Sequence, residues 1–220
     1  MNRQQTLQRI TDAGLIAIIR ADSSDGLVET CRALAAGGVT VAEVTMTTPG
    51  ALECIRLARK ELGDRCLIGV GSVLTGDVVR QAVDAGAQFV VAPTFKREVV
   101  DASHACDVPV APGAFTPTEI LTAFEHGADV VKVFPANHLG PKYFKDILAP
   151  MPHLKLTPTG GVDLSTIPQW FEAGAVALGV GSNLVKKELI RAERWKELTD
   201  LATQFAAAVQ QARAGKKQHV

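Results

Sequence analysis

The chain lacks a net charge, a long hydrophobic run and any cysteine motif, and each absence removes a class of function. Lys plus Arg and Asp plus Glu number 23 each over 220 residues, so the formal charge is zero. No global field then draws the chain to nucleic acid or to an anionic membrane, although a local anion site stays open. The apolar runs are short and broken by charges, and the start MNRQQTLQRITDAG has no apolar h-region of a signal peptide. A cytoplasmic chain with no membrane partner is expected. Cys31, Cys54, Cys66 and Cys106 stand far apart without C-x-x-C or histidine spacing. That gives neither a zinc site nor a disulfide framework, and leaves small apolar core or helix residues.

With 47% hydrophobic residues and no polar or Pro/Ser-rich interruption before the C-terminus, one domain should fill nearly the whole chain. Four segments share one design: ALAAGGVTVAEVT, AVDAGAQFVVAP, AFEHGADVVKVFP and WFEAGAVALGVGS. Each reads as a helix, a glycine that stops it in the left-handed conformation, and a β-branched strand covered on both faces. Further strands are expected at LIAIIR (15–20), LIGVGSV (67–73), VPVAPGAF (108–115) and LKLTPTGG (154–161), which makes eight. Eight parallel strands alternating with helices, in units of about 25 residues, predict an α/β fold of the (β/α)8 TIM-barrel type as a single domain. An N-terminal helix is expected over about 1–13 and a C-terminal helical tail over about 186–214, its apolar stripe including Trp195 and Phe205. The last residues, GKKQHV, read as a frayed basic end.

A barrel puts its chemistry at the C-terminal ends of its strands. There, Lys132 lies in DVVKVFP, where alternation gives it the face of Val130 and Phe134. A sheltered ammonium must be paired or neutralised, and desolvation favours the neutral amine that can attack a ketone. Burial alone leaves both readings standing: an imine-forming amine, or a lysine paired with an acid for structure. Lys155 begins its strand and reads as solvated. Glu43 in VAEVT has apolar neighbours that would raise its pKa into the range of a general acid/base, and it could equally be a counter-ion for Lys132.

Asp12, Asp64, Asp84, Asp107 and Glu125 fall on helices or loops that read as exposed. His104, His126, His138, His153 and His219 fall away from strand ends, so no metal site is expected. Thr159-Gly160-Gly161 precedes a helix expected near Asp163, and Gly181-Ser182 precedes one expected around Asn183 to Leu189. Glycine loops in these two places, backed by helix N-termini, suit a phosphate.

Together, Glu43 in EVT, G-x-G-S at 69–72, Pro93, Pro112-Gly113, Lys132 in VKVFPA, PTGG at 158–161 and GS at 181–182 resemble the 2-keto-3-deoxy-6-phosphogluconate aldolases, also called 4-hydroxy-2-oxoglutarate aldolases. The resemblance runs from about Leu15 to Leu184. It implies a cofactor-free class I aldolase, usually a homotrimer, that acts on a small phosphorylated keto acid in the Entner–Doudoroff route and yields pyruvate and glyceraldehyde 3-phosphate. By matching position, Lys132 would carry the Schiff base and Glu43 the proton. Ser72, Pro93, Phe134 and Thr159 would line the pyruvate end, and Gly160, Gly161, Gly181 and Ser182 would hold the phosphate. Thr47 stands in the substrate-binding position where many members carry a carboxylate-binding Arg, and a hydroxyl supplies one hydrogen bond in place of a charged fork. Related alternatives are the 2-keto-3-deoxy-6-phosphogalactonate epimer, the unphosphorylated 4-hydroxy-2-oxoglutarate, or a non-catalytic phosphate-binding or assembly barrel.

Overall fold

The computed structural model describes residues 1–216; positions 217–220, with His219 and most of the expected basic end, lie outside the described residues. The first half runs α1 (Arg3–Ala13), β1 (Leu15–Ile19), α2 (Leu27–Ala36), β2 (Val41–Thr45), α3 (Ala51–Leu62), β3 (Leu67–Gly71), α4 (Gly76–Asp84), β4 (Val90–Val91) and α5 (Arg97–Ala105). The second half runs β5 (Val110–Ala111), β6 (Gly113–Ala114), α6 (Pro117–Glu125), β7 (Val131–Val133), α7 (Gly140–Leu148), β8 (Leu156–Pro158), α8 (Ile167–Glu172), β9 (Leu178–Val180), α9 (Lys187–Arg191) and α10 (Trp195–Lys216).

Helix ends follow from local chemistry. Asn2 and Gln5 form a capping box at the start of α1, which closes at Gly14 in the left-handed region. Gly38, Gly86, Gly127 and Gly174, the glycines of the four recurring segments, all have positive φ. Gly37 serves a different need: a Cβ there would lie 2.5 Å from Ala202 Cβ, so the missing side chain lets α10 pack onto α2.

All strand pairs are parallel, and they form an α/β fold with two sheets. One sheet has the order β5-β4-β3-β2-β1-β9 and the other β6-β7-β8. The strand expected over 108–115 is therefore two, β5 and β6, split at Pro112. Proline has no N–H to give a ladder, and the Pro112 carbonyl turns to accept from the Lys132 N–H at 2.9 Å. A bridge between Thr159 and Gly179 brings the end of β8 beside β9.

The two strand faces have different partners. Ile16, Val41, Leu67, Phe89, Val91 and Ala177 cluster on the inner face with Ile10 of α1, while Ala17, Ala42, Val44, Ile68, Val70, Val131 and Val133 pack under the outer helices. Alternation then places Arg20, Glu43, Thr45 and Lys132 on the inner face.

Three expected helix positions need correction. The tail expected over 186–214 is two helices, because Glu193 adopts a positive φ between α9 and α10. Leu198, Ala202, Phe205 and Val209 of α10 are buried, and α10 packs on α2 and α8 of its own chain. The helix expected near Asp163 begins at Ile167, because the Asp163 carboxylate accepts from the Ser165 and Thr166 N–H groups and closes a turn of its own. The helix expected at Asn183 begins at Lys187, after a turn in which the Gly181 carbonyl accepts from Leu184 and Val185 N–H. No helix among the described residues is long and apolar enough to cross a membrane.

Candidate active site

Strand register decides what can meet at the strand ends. Glu43 pairs with Ile18 and Gly69, Thr45 with Gly71, and Lys132 with Gly113 and Thr157. Several of these partners are glycines, and each makes room for a neighbour. A Cβ on Gly71 would overlap the Glu43 carboxyl group, one on Gly69 the Phe89 ring, one on Gly113 the Pro93 carbonyl, and one on Gly179 the Thr159 hydroxyl. The Glu43 side chain thus lies over Gly71, buried to 2% exposure.

Lys132 is 7% exposed, and its Nζ sits 5.0 Å from the centroid of the Phe134 ring. That ring is itself 37% exposed and roofs the amine. Among the described residues no ion pair joins Lys132 to Glu43, although the Glu43 charge still acts on the amine. Burial is the main cause that lowers the Lys132 pKa, with the Arg20 charge acting the same way and the Glu43 charge opposing. Burial also raises the Glu43 carboxyl, against the pull of Lys132 and Arg20. Burial thus works against the charged form of both groups.

A cavity of about 420 Å³ is lined by Arg20, Phe134, Thr159, Gly160, Gly161 and Ser182 among others, and it meets the Lys132 side chain only through Phe134. Gly181 lines it too, so all four expected phosphate-loop residues are brought together. Gly160 and Gly161 have positive φ, and a Cβ on Gly161 would lie 2.6 Å from Asn137 Cβ. Only glycine fits this turn without strain. The Asn183 amide donates to the Val162 carbonyl at 2.8 Å and so fastens the two loops to each other.

A second cavity of about 320 Å³, lined by Pro93, Gly113 and Phe115, shares Phe134 with the first. Ser72 ends β3 in the left-handed region, a conformation non-glycine residues hold only where surroundings impose it. Thr47 is exposed and lines neither cavity; its hydroxyl lies 3.0 Å from that of Thr45. Among the described residues no group of three or more His, Cys, Asp or Glu could hold a metal ion.

Three residues of this site were not singled out from sequence. Arg20 could have been, since it ends LIAIIR on the face of Ile16 and Ile18 and is the strand-end cation. Asn183 and Thr45 carry no such signal, because their roles depend on which loop or side chain lies opposite.

The model of the KDPG and KHG aldolase family matches residues 7–201. The chain is 36% identical to the 2-dehydro-3-deoxy-phosphogluconate aldolase of Treponema pallidum over 201 residues, 91% of this chain and 94% of the relative. It is 33% identical to the 2-dehydro-3-deoxy-6-phosphogalactonate aldolase of Escherichia coli over 181 residues, 82% of this chain and 88% of the relative. Its fold superposes with a TM-score of 0.81 and 30% identity, over 90% of this chain and 96% of the other, on a Legionella pneumophila KDPG aldolase holding pyruvate as a covalent carbinolamine. With the family's model covering most of its length, the chain belongs to the KDPG and KHG aldolase family of carbon–carbon lyases.

Proposed function

We propose that this protein cleaves 2-keto-3-deoxy-6-phosphogluconate to pyruvate and glyceraldehyde 3-phosphate through a Schiff base on Lys132. The observation that carries the reading is a buried lysine, roofed by Phe134, with no acid in ion-pair range and a pKa lowered by desolvation. The neutral amine adds to the C2 ketone, and a protonated Glu43 gives its proton to the carbinolamine hydroxyl, which leaves as water and forms the protonated imine beside the Glu43 carboxylate. Glu43 takes the proton of the C4 hydroxyl as the C3–C4 bond breaks. The aldehyde leaves and the electron pair passes into the enamine. Glu43 returns the proton to C3, and water hydrolyses the protonated imine to release pyruvate and the free amine, the remaining proton going back to the Glu43 carboxylate.

Substrate ends follow the charges. The phosphate is assigned to Gly160, Gly161, Gly181 and Ser182, with Arg20 supplying the charge that the displaced starts of α8 and α9 do not. Ser72, Pro93, Phe134, Thr159 and Thr47 are assigned to the pyruvate end. No cofactor is needed, because the imine itself is the electron sink. We also take the chain to be one domain built as a closed (β/α)8 barrel, with β5 and β6 as one strand broken at Pro112. The Thr159–Gly179 bridge supports that closure. A homotrimer is the assembly the sequence resemblance implies, to be checked by sedimentation.

Borohydride added with pyruvate should fix a stable adduct on Lys132 alone, located by peptide mapping; an unmodified Lys132 overturns the reading. A second reading, cleavage of the 6-phosphogalactonate epimer, rests on the similarity to the phosphogalactonate aldolase. Steady-state rates on both epimers and on 4-hydroxy-2-oxoglutarate decide between them.

A further inference from the structure

Two ionic contacts tie the loop after β1 to α9. Asp22 Oδ1 accepts from Lys187 Nζ at 2.6 Å, and Asp22 Oδ2 pairs with the Arg191 guanidinium. β1 and β9 are parallel neighbours, with Ala17 opposite Val180, so the loops that follow them emerge side by side. Lys187 and Arg191 stand one turn apart on α9 and share a face. Lys187 differs from Arg191 in what else it borders. It lines the 420 Å³ cavity of Arg20, Gly160, Gly161 and Ser182, and also an adjoining cavity of about 310 Å³ that contains Asp22 and Arg191. Arg191 borders only the second.

Charge balance in the larger cavity gives this lysine a second partner. A phosphate monoester carries close to two negative charges near neutral pH. Arg20 brings one positive charge, and Lys186 and Glu188 on the rim offset each other. One negative charge therefore stays unmatched while the Lys187 ammonium remains on Asp22. Exposed ion pairs are weak, so the lysine leaves Asp22 at small cost, and Arg191 keeps the carboxylate paired once it has gone. Against a single carboxylate charge, a dianion is the stronger competitor for the ammonium.

We propose that Lys187 is a specificity-determining residue that changes partners when substrate binds, leaving Asp22 for the phosphate, so that Asp22 tempers the preference for phosphorylated over unphosphorylated ligands. This rests on the aldolase reading above and adds to Arg20 a cation held in reserve outside the glycine loops. Asparagine at position 22 keeps the shape and removes the competing charge.

The test compares full-length Lys187→Met, Lys187→Arg, Asp22→Asn, Lys186→Met and the double variant Asp22→Asn with Lys187→Met, each first checked for folding by its melting temperature. KM is measured on whichever 6-phosphorylated epimer the wild type cleaves faster, and half-saturation of the borohydride trap by pyruvate, which has no phosphate, is measured beside it. Loss of one hydrogen bond to a charged group predicts a KM about tenfold higher for Lys187→Met, with Lys187→Arg within about threefold of wild type. Asp22→Asn should lower KM about two- to fivefold, and in the Lys187→Met background it should no longer lower it. The same lowering in both backgrounds means that Asp22 merely repels the phosphate, and it overturns the exchange. An equal rise for Lys186→Met marks a diffuse positive rim and overturns it too. Shifts of the same size in KM and in pyruvate half-saturation mark a structural role, with the same consequence. Failure of pyruvate and borohydride to modify wild-type Lys132 sinks the aldolase reading itself, whereas trapping with an unchanged KM in Lys187→Met sinks only the exchange.

Discussion

Gly69 and Gly71 lie two residues apart on one face of β3, and adding a methyl group to each should separate activity from stability. On Gly71 the new Cβ would overlap the Glu43 carboxyl group, with Glu43 Cγ only 2.6 Å away. Ordinary carbon contacts lie at about 3.5–4.0 Å, so the glutamate must move by about 1 Å. A displacement of about 1 Å in a group that transfers a proton costs on the order of a hundredfold in rate. The end of a glutamate side chain can swing aside, so the melting temperature should change little.

On Gly69 the Cβ would instead meet the Phe89 ring, with Cε1 2.5 Å away, in a packed cluster that has no free rotamer to offer. Overpacking of this kind costs about 1–3 kcal/mol, and each kcal/mol lowers the melting temperature by about 2–4 °C in a protein of this size. Gly71→Ala is therefore expected to lose kcat about a hundredfold with a near-native melt, and Gly69→Ala to melt early with near-native kcat at low temperature. Steady-state kinetics at a temperature well below both melts, with calorimetry on the same samples, reads both effects. A Gly71→Ala enzyme with kcat within twofold of wild type refutes the placement of Glu43 over that glycine as the source of its catalytic alignment.

Replacing the buried pair together, Lys132→Met with Glu43→Leu, should abolish activity and stabilise the fold by about 1–4 kcal/mol near neutral pH. The folded pKa of Lys132 is lowered, so its penalty is full below that value and fades as pH rises towards the ordinary lysine value of about 10.4. Glu43 is raised, so its penalty is absent below the ordinary glutamate value of about 4.3, grows as pH rises from there and is full above its folded pKa. The stability gain of the double variant, followed by thermal melts across pH, should therefore be smallest in acid for the Glu43 part and in strong alkali for the Lys132 part; a pH-independent gain contradicts the desolvation argument. Arg20→Met should raise KM for the phosphorylated substrate roughly ten- to a hundredfold, the loss of a charge-assisted hydrogen bond, while borohydride trapping of pyruvate stays at the wild-type level. Equal losses for pyruvate would move Arg20 to the other end of the substrate. Phe205→Ala should destabilise by about 3–5 kcal/mol, because a ring buried between α10 and its neighbours leaves a cavity, and activity measured well below the melt should persist.

Much of this architecture is legible in the linear chain because its causes are local. Gly38, Gly86, Gly127 and Gly174 end helices in the left-handed region because the residues around them form helices and only glycine closes them without strain. The burial of Lys132 follows from its β-branched neighbours, and the alternation Val41-Glu43-Thr45 follows from the period of a strand. The strand break at Pro112 was not read in advance, although its cause, a residue with no N–H, is also local. The late starts of α8 and α9 were misjudged because an Asp163 turn and a Gly181 turn compete with helix initiation, and such competition is decided by a few hydrogen bonds.

From sequence alone came an α/β repeat, a lysine in an apolar strand, an acid two residues before Thr45 and two glycine loops. Tertiary structure alone decided that the lysine has no acid in ion-pair range, that the glutamate lies over Gly71, and that Arg20 converges with loops about 140 and 160 residues further along the chain. The physical reason is the same in each case. Propensity and periodicity are carried by neighbours in the chain, whereas electrostatics and hydrogen-bond direction depend on cross-strand register, and register is set by pairings between residues far apart in sequence.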